Sequence, residues 1–275
     1  MINLMKSFVK ASADYLPSPI AGMFWQAVDR RWKSPFDRRR IFENWQIYKS
    51  LGCPQRVAAG PFKGMIYVTQ SSGSALLPKI FGTYELKLAP LIENCCCQAF
   101  DTIIDIGAAE GYYGVGMALR NPCTRIICFE PYPPARYLLH KLSRLNGVHN
   151  RIQLKSLCTT DSLIQALVGA KSPFILSDCE GAEDELLVPD RVPALRYSSI
   201  LVEVHEKQRP GVSDRLVRRF ESTHDLVRFQ SGERLLEDLP TFARGLTRDL
   251  ALQAMDEWRG GTMHWYFMRP KALHA

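Results

Sequence analysis

The stretch Asp105-Ile-Gly-Ala-Ala-Glu-Gly-Tyr-Tyr-Gly114 decides the fold. Thr102–Ile106 is mostly apolar and reads as a strand that stops at Gly107. The loop Gly107-Ala-Ala-Glu-Gly111 follows directly, and a helix is predicted over Tyr112–Leu119, stopped by Asn121-Pro122. Glycine permits a tight turn and close approach of a ligand. The first N–H groups of the helix point at the same spot. In an open parallel sheet, ligands bind at the carboxyl ends of strands, beside the point where the strand order reverses.

Outward from this unit the chain alternates strand and helix, the pattern of a mostly parallel α/β sheet. Strands are predicted at Arg125–Phe129, Ile152–Leu157, Phe174–Ser177 and Ile200–Val204, with two late ones at Asp225–Phe229 and His264–Met268. Helices fit at Leu86–Asn94, Ala135–Leu145, Ser162–Val168, Ala182–Leu187 and Val212–Glu221. Ala135, Leu138, Leu139, Leu142 and Leu145 form a core-facing stripe. Gly60–Val68 suggests a turn and a short strand.

Spacing separates two cofactor classes. A dinucleotide fingerprint has glycines two positions apart, so that a pyrophosphate rests on the helix. Here the pattern is Gly107-x-x-x-Gly111-x-x-Gly114, preceded by the acidic Asp105. A carboxylate there suits a cationic amino-acid moiety better than a pyrophosphate, which disfavours NAD. The second strand ends in Phe129-Glu-Pro131, where Glu130 is placed to accept both hydroxyls of a ribose.

Four segments in order, Asp105–Gly114, Phe129–Pro131, Ser177-Asp-Cys-Glu-Gly-Ala-Glu183 and Leu201-Val-Glu-Val-His205, resemble the FkbM-like branch of class I methyltransferases. The similarity spans roughly residues 60–270, and Asp178-x-Glu-Gly-Ala-Glu183 is its most specific block. The resemblance implies a Rossmann-like sheet of seven strands, mostly parallel with the last antiparallel. It also implies S-adenosylmethionine as cofactor and O-methylation as the activity. The expected cofactor contacts are Asp105, Gly107, Ala108, Glu110, Gly111 and Tyr113 from the first unit, with Glu130 and Pro131 from the second. One departure concerns the segment after the third strand, where only Cys158–Ser172 precedes the Asp178 block, with Asp161 its one acid. By position, Ser156–Cys158 then falls to the adenine.

Methyl transfer from a sulfonium needs alignment of the nucleophile and removal of its proton. Asp178, Glu180, Glu183, Glu203 and His205 are the titratable residues at the ends of the fourth and fifth strands. Asp178, His205 and Glu180 are the candidate catalytic residues. Each has a plainer reading: Asp178, Glu180 and Glu183 as acids at a helix N-terminus, and His205 as a hydrogen-bonded strand-end histidine. The carboxylate spacing specifies no metal, and none is expected. His205-Glu206 begins no zinc-protease motif, since position 209 is Arg. The loop Gly82-Thr-Tyr-Glu85 is either a flap over the cofactor or an ordinary helix start, and Trp265 reads as core.

The 275 residues suffice for a methyltransferase domain over 59–275 and a helical, basic N-terminal segment over 1–58. The net charge of +7 sits mostly in residues 1–60, which hold ten basic against four acidic side chains. The whole-chain charge is therefore no sign of nucleic-acid binding. Ile41, Phe42, Trp45 and Tyr48 share a helical face there, beside the basic run 30–40, either a solvated face or a contact to an anionic surface. No apolar run spans a bilayer, no signal peptide is recognisable, and eight unpatterned cysteines suit reduced thiols in a cytoplasm. The acceptor is expected to be a small molecule, sugar or lipid-linked glycan. The competing functions are an NAD(P)-dependent oxidoreductase and a non-catalytic scaffold that docks through its basic segment.

Overall fold

The computed structural model describes residues 35–271, so residues 1–34, including the part 30–34 of the basic run, lie outside the described residues. Seven strands form one sheet: β1 (Thr102–Ile106), β2 (Arg125–Phe129), β3 (Ile152–Lys155), β4 (Pro173–Ser177), β5 (Ser199–Glu203), β6 (His224–Gln230) and β7 (His264–Pro270). Their order is β3-β2-β1-β4-β5-β7-β6. β1 to β5 pair in parallel, while β7 is antiparallel to both β5 and β6. The expected α/β sheet with a reversed last strand is therefore present, and the order reverses between β1 and β4.

Strands β1, β4 and β5 are buried along their whole length. Sheets covered on both faces need near-continuous apolar strands, which explains runs such as Thr-Ile-Ile-Asp-Ile and Pro-Phe-Ile-Leu-Ser. Alternate residues feed two cores. Ile103, Ile126, Cys128 and Phe174 pack with α4 (Tyr112–Arg120) and α5 (Pro133–Leu145). Ile104, Ile127, Ile175 and Val202 pack with α6 (Thr160–Leu167), α7 (Glu183–Leu186) and α8 (Val212–Phe220).

On the first face lie four more helices: α1 (Pro35–Ser50), α2 (Leu76–Phe81), α3 (Ala89–Cys96) and α9 (Arg248–Met255). The expected apolar face of α1 differs from the one it buries. Asn44 and Ile47 are buried, while Ile41 and Phe42 are exposed. Gly60–Val68 is a turn with a single bridge, Arg56 to Ile66, and not a strand. Leu145, the last residue of α5, is exposed and does not join the buried stripe. All eight cysteines are free thiols. Among the described residues no helix is long and apolar enough to cross a membrane.

One contact joins the loop after β1 to the end of β4. Gly107 has φ +85, and a Cβ there would lie 1.7 Å from the carbonyl oxygen of Asp178. The Asp178 N–H also donates to the Ile106 carbonyl at 2.9 Å. Gly107→Ala is expected to cost more than ~3 kcal/mol or to prevent folding, since backbone strain and overpacking add. Gly147, at φ +69, has nothing within 4 Å of its Cβ position. Its Ala variant should therefore lose only about 1–2 kcal/mol. Thermal melts of the two variants make the comparison.

Candidate active site

The carboxyl ends of β1, β2, β4 and β5 open into a cleft of about 1200 Å³. Among its lining residues are Asp105, Gly107, Ala108, Tyr113, Glu130 and Pro131 from the β1 and β2 side, and Asp178, Glu180, Glu203 and His205 from the β4 and β5 side. The loop after β1 is a tight turn: the Gly111 N–H donates to the Ala108 carbonyl at 2.7 Å, and Gly107 and Ala108 both donate to the Phe129 carbonyl. Gly111 then precedes α4 at φ +97, where a Cβ would meet the Leu139 side chain at 2.8 Å. Its role is helix packing, and it does not line the cleft.

Asp105 is buried, at 2 % exposure. It accepts the Gly114 N–H, while its Oδ2 has no partner among the described residues. Burial is the main reason its carboxyl is pushed up to about 7, with the charges of Asp178, Glu130 and Glu85 adding. Gly114 makes this burial possible, because a Cβ there would lie 2.4 Å from Cys128 Sγ. Glu130 is fixed by two backbone donors, Ala109 N–H on Oε2 at 2.8 Å and Tyr132 N–H on Oε1 at 2.6 Å. Each oxygen keeps a further lone pair. Burial raises this carboxyl also to about 7, against those two hydrogen bonds. Leu157 and Cys158 line the cleft beyond β3, in the segment expected to meet an adenine.

Glu110 departs from the expected role. It is fully buried and its carboxylate is taken by Lys79 at 2.5 Å, Tyr67 Oη and Ser71 Oγ at 2.7 Å each, and the Ser72 N–H at 3.0 Å. Burial opposes its ionisation, yet Lys79 and these donors hold its carboxyl below the usual range. Its physical work is to anchor the segment before α2 to the β1 loop. Lys79 itself is a lone cation in an apolar six-residue helix, the one sequence signal that could have revealed the pair.

The β4 and β5 ends converge on His205, which is almost wholly buried. Glu183 Oε1 accepts the His205 backbone N–H at 2.9 Å and lies 3.2 Å from Nδ1. Nε2 faces Asp178 Oδ1 at 3.3 Å, with Glu203 Oε1 and Glu180 Oε2 each at 3.8 Å. Burial alone would lower the imidazole, but the hydrogen bonds and charges of Asp178 and Glu183 overcome it and raise the group to about 10. Glu203 is pushed up to about 8 by burial and by the charges of Asp178 and Glu85, against the pull of Arg259.

Arg259 was not foreseen from the sequence. Its guanidinium donates from one nitrogen to both Glu203 oxygens, at 2.8 and 3.0 Å, and from the others to Glu257 and Glu85. It stands over the rings of Tyr84 and Trp265 at 5.6 and 5.2 Å. Trp265 is core, as expected, and Tyr84 from the segment 82–85 lines the cleft. Glu85 also accepts the Tyr113 hydroxyl. Four non-glycine residues among those described have positive φ: Glu85, Ala109, Glu180 and Trp258. Three of them line the cleft and Glu85 is bound to its wall, as strain retained at a working site predicts.

The sequence matches no family model and no curated protein. Among solved structures it is similar to an O-methyltransferase from Bacillus cereus in complex with SAH, at 13% identity over 90% of this chain and 100% of that one, TM-score 0.47. Cofactor-bound Rv0187 from MTB matches at 12% identity, over 94% of this chain and 100% of that one, TM-score 0.45. The C-terminal domain of precorrin-6Y C5,15-methyltransferase from Rhodobacter capsulatus matches at 16% identity over 66% and 89%, TM-score 0.42.

Removing one partner of a buried ion pair leaves an uncompensated charge, at a cost of about 3–5 kcal/mol. Lys79→Met is expected to show that loss in urea denaturation. Adding Glu110→Gln to the same chain should recover a large part of it; no recovery would mean that the pair is not coupled in this way.

Proposed function

We propose that the chain is an S-adenosylmethionine-dependent methyltransferase that acts on a hydroxyl of a small-molecule or glycan acceptor. The observation that carries this reading is the unpartnered, buried Oδ2 of Asp105 in the same cleft as the two-oxygen face of Glu130. A ligand with a cationic end and a ribose diol fits that pair. Such a ligand supplies both the missing hydrogen bond and the missing countercharge. The reversed β7 between β5 and β6 is not the all-parallel order of a dinucleotide fold, which favours this reading over an NAD(P)-dependent oxidoreductase.

In this reading Asp105 would hold the ammonium of the methionyl group and Glu130 the ribose hydroxyls, with Gly107 and Ala108 beneath them. Leu157 and Cys158 would flank the adenine. When bound, the cofactor supplies an electrophilic methyl group on a sulfonium. The chain's part is to orient the acceptor oxygen and take its proton. Asp178 and Glu183 favour the protonated form of His205 in the free protein, which suits it less to the role of base. Asp178 can fill that role: its Oδ1 is held by His205, which leaves Oδ2 to accept the hydroxyl proton. His205 is then a positioning residue, fixed from behind by Glu183, while Glu180 stands at the rim, mostly exposed and bound by Gln208. Reduced thiols remain consistent with a cytoplasmic setting.

Calorimetry tests the assigned carboxylates. Glu130→Gln is expected to weaken S-adenosylmethionine at least tenfold, with the melting temperature of the free protein retained. Gly107 variants do not serve here, because they strike the Asp178 backbone. Acidity gives a second test. Glu130 is half-ionised near pH 7 in the free protein, and the ribose hydroxyls require the ionised form. Affinity should therefore fall as pH is lowered from 7.5 to 6, by roughly eightfold for this group alone. The slope should flatten in Glu130→Gln; an equal slope in both proteins counts against the assignment.

A further inference from the structure

We propose that Asp178, Glu203 and His205 form a binding site for one divalent metal ion of the magnesium or manganese kind. The proposal rests on the methyltransferase reading only for the ion's use, not for its binding. One ligand atom from each of the three residues lies within 4.8 Å of the others. Two ligands at right angles around Mg²⁺ or Mn²⁺, each about 2.1 Å from the ion, stand about 3.0 Å apart. The separations from His205 Nε2 to Asp178 Oδ1 and Glu203 Oε1, 3.3 and 3.8 Å, require a contraction of less than about 1 Å. Glu180 Oε2, also 3.8 Å from Nε2, can approach as a fourth ligand from the exposed side.

The set is more than a group of acids. An imidazole nitrogen belongs to it, and that ring is oriented by a carboxylate outside the set. Glu183, with no exposure, faces Nδ1 and also receives the His205 and Gly181 N–H groups. Metal-ligating histidines are held in this way, with the second ring nitrogen donating to a carboxylate and the first left for the ion. Two carboxylates, Glu203 buried and Asp178 half-buried, and one imidazole suit a hard or borderline divalent cation better than a soft one.

Charge balance gives a second and independent argument. The wall of the cleft around His205 carries the carboxyl groups of Asp105, Asp178, Glu203 and Glu257, with Glu183 and Glu85 just behind it on His205 and Arg259; five of the six are buried. The guanidinium groups that reach this set are Arg259, on Glu85, Glu203 and Glu257, and Arg234, on Glu257. Asp105, with its buried unpartnered Oδ2, stands on the strand next to Asp178. A wall so rich in buried carboxyl groups would be stabilised in its ionised form by further positive charge. The ammonium of a bound cofactor would answer Asp105, and a divalent ion at Nε2 would answer Asp178 and Glu203.

Arg259 does not block the ion. It lies against Glu203 together with Glu85 and Glu257, and a carboxylate oxygen retains a second lone pair for a metal. The competing occupant of Nε2 is a proton, which the ion must displace. Bound through Asp178 Oδ1, the ion would leave Asp178 Oδ2 free for the acceptor's proton and would hold the acceptor oxygen beside it.

The test uses the full chain stripped with a chelator, with Mn²⁺ alone as probe, followed by electron paramagnetic resonance and calorimetry at pH 7.5. The expected result is one saturable Mn²⁺ per chain, weakened at least tenfold in Asp178→Asn and in His205→Gln. Glu185→Gln, whose exposed carboxylate pairs with Arg209, should leave binding unchanged. Absence of saturable Mn²⁺ uptake, or uptake that is the same in all variants, overturns the site. S-adenosylmethionine binding to the same samples keeps the two readings apart. Cofactor binding without Mn²⁺ uptake removes the metal and leaves the methyltransferase; Mn²⁺ uptake without cofactor binding does the reverse. Retained cofactor affinity in Asp178→Asn also shows that the variant is folded. In case it is not, the visible spectrum of the Co²⁺-loaded wild type supplies a reading that needs no variant: weak bands of a six-coordinate nitrogen–oxygen site support the assignment, and a spectrum identical to aqueous Co²⁺ overturns it.

Discussion

The joint between Gly107 and the Asp178 carbonyl governs the rest of the molecule's chemistry. β1 and β4 lie side by side at the reversal of strand order, and their two following loops must leave the sheet through the same narrow space. No side chain fits between them, since even a methyl group would overlap the Asp178 oxygen. With that space closed, Asp105 and Asp178 stand in one wall. The part of the cleft suited to a nucleoside and the part suited to proton removal are then neighbours, and neither depends on a flexible segment for its place.

Two sets of buried charges hold the outer parts of the cleft to this joint. The Lys79–Glu110 pair ties the segment before the first strand to the loop after it, and places Tyr84 over Lys79 at 4.8 Å. Arg259 ties the β7 approach to Glu85 and Glu203. Buried ion pairs add little net stability compared with well-packed apolar groups, but they discriminate strongly against misplacement, because each lost partner leaves a charge in a low-dielectric interior. Their use here is geometric. They fix the walls of a cleft whose lining mixes apolar and ionisable side chains. The α1 helix joins in, with Arg40 on Asp256 and over the Trp258 ring, so the N-terminal segment supports the same wall.

The five inner strands were legible because each is a short, largely apolar run that the sheet buries, whereas the edge strands β3 and β6 are more polar and half-exposed. The reversal of β7 came from the family resemblance alone; nothing in His264–Pro270 itself signals direction. Helix α2 was missed since it has six residues and contains Pro78, and α9 lies in a polar stretch without a clear stripe. Within the site, Asp105, Glu130, Asp178 and His205 could be read because each sits at a strand end, where position along the chain fixes position in space. Glu110, Lys79 and Arg259 could not be assigned correctly. Their roles rest on partners 31 residues away for the first two, and 56 and 174 residues away for the third, and spacing carries no record of such pairings.

The reach of Arg259 also bears on how the molecule is made. Asp105, Glu130 and Asp178 are all present on a nascent chain that ends before β5. The β5 end, with Glu203 and His205, comes next. Glu203 and Glu85 then wait for a guanidinium that is synthesised more than fifty residues after β5. During that interval the emerging chain holds acids without their countercharge. The charges at the inner end of the cleft can therefore be balanced only once the segment ahead of β7 has been made and β7 lies between β5 and β6.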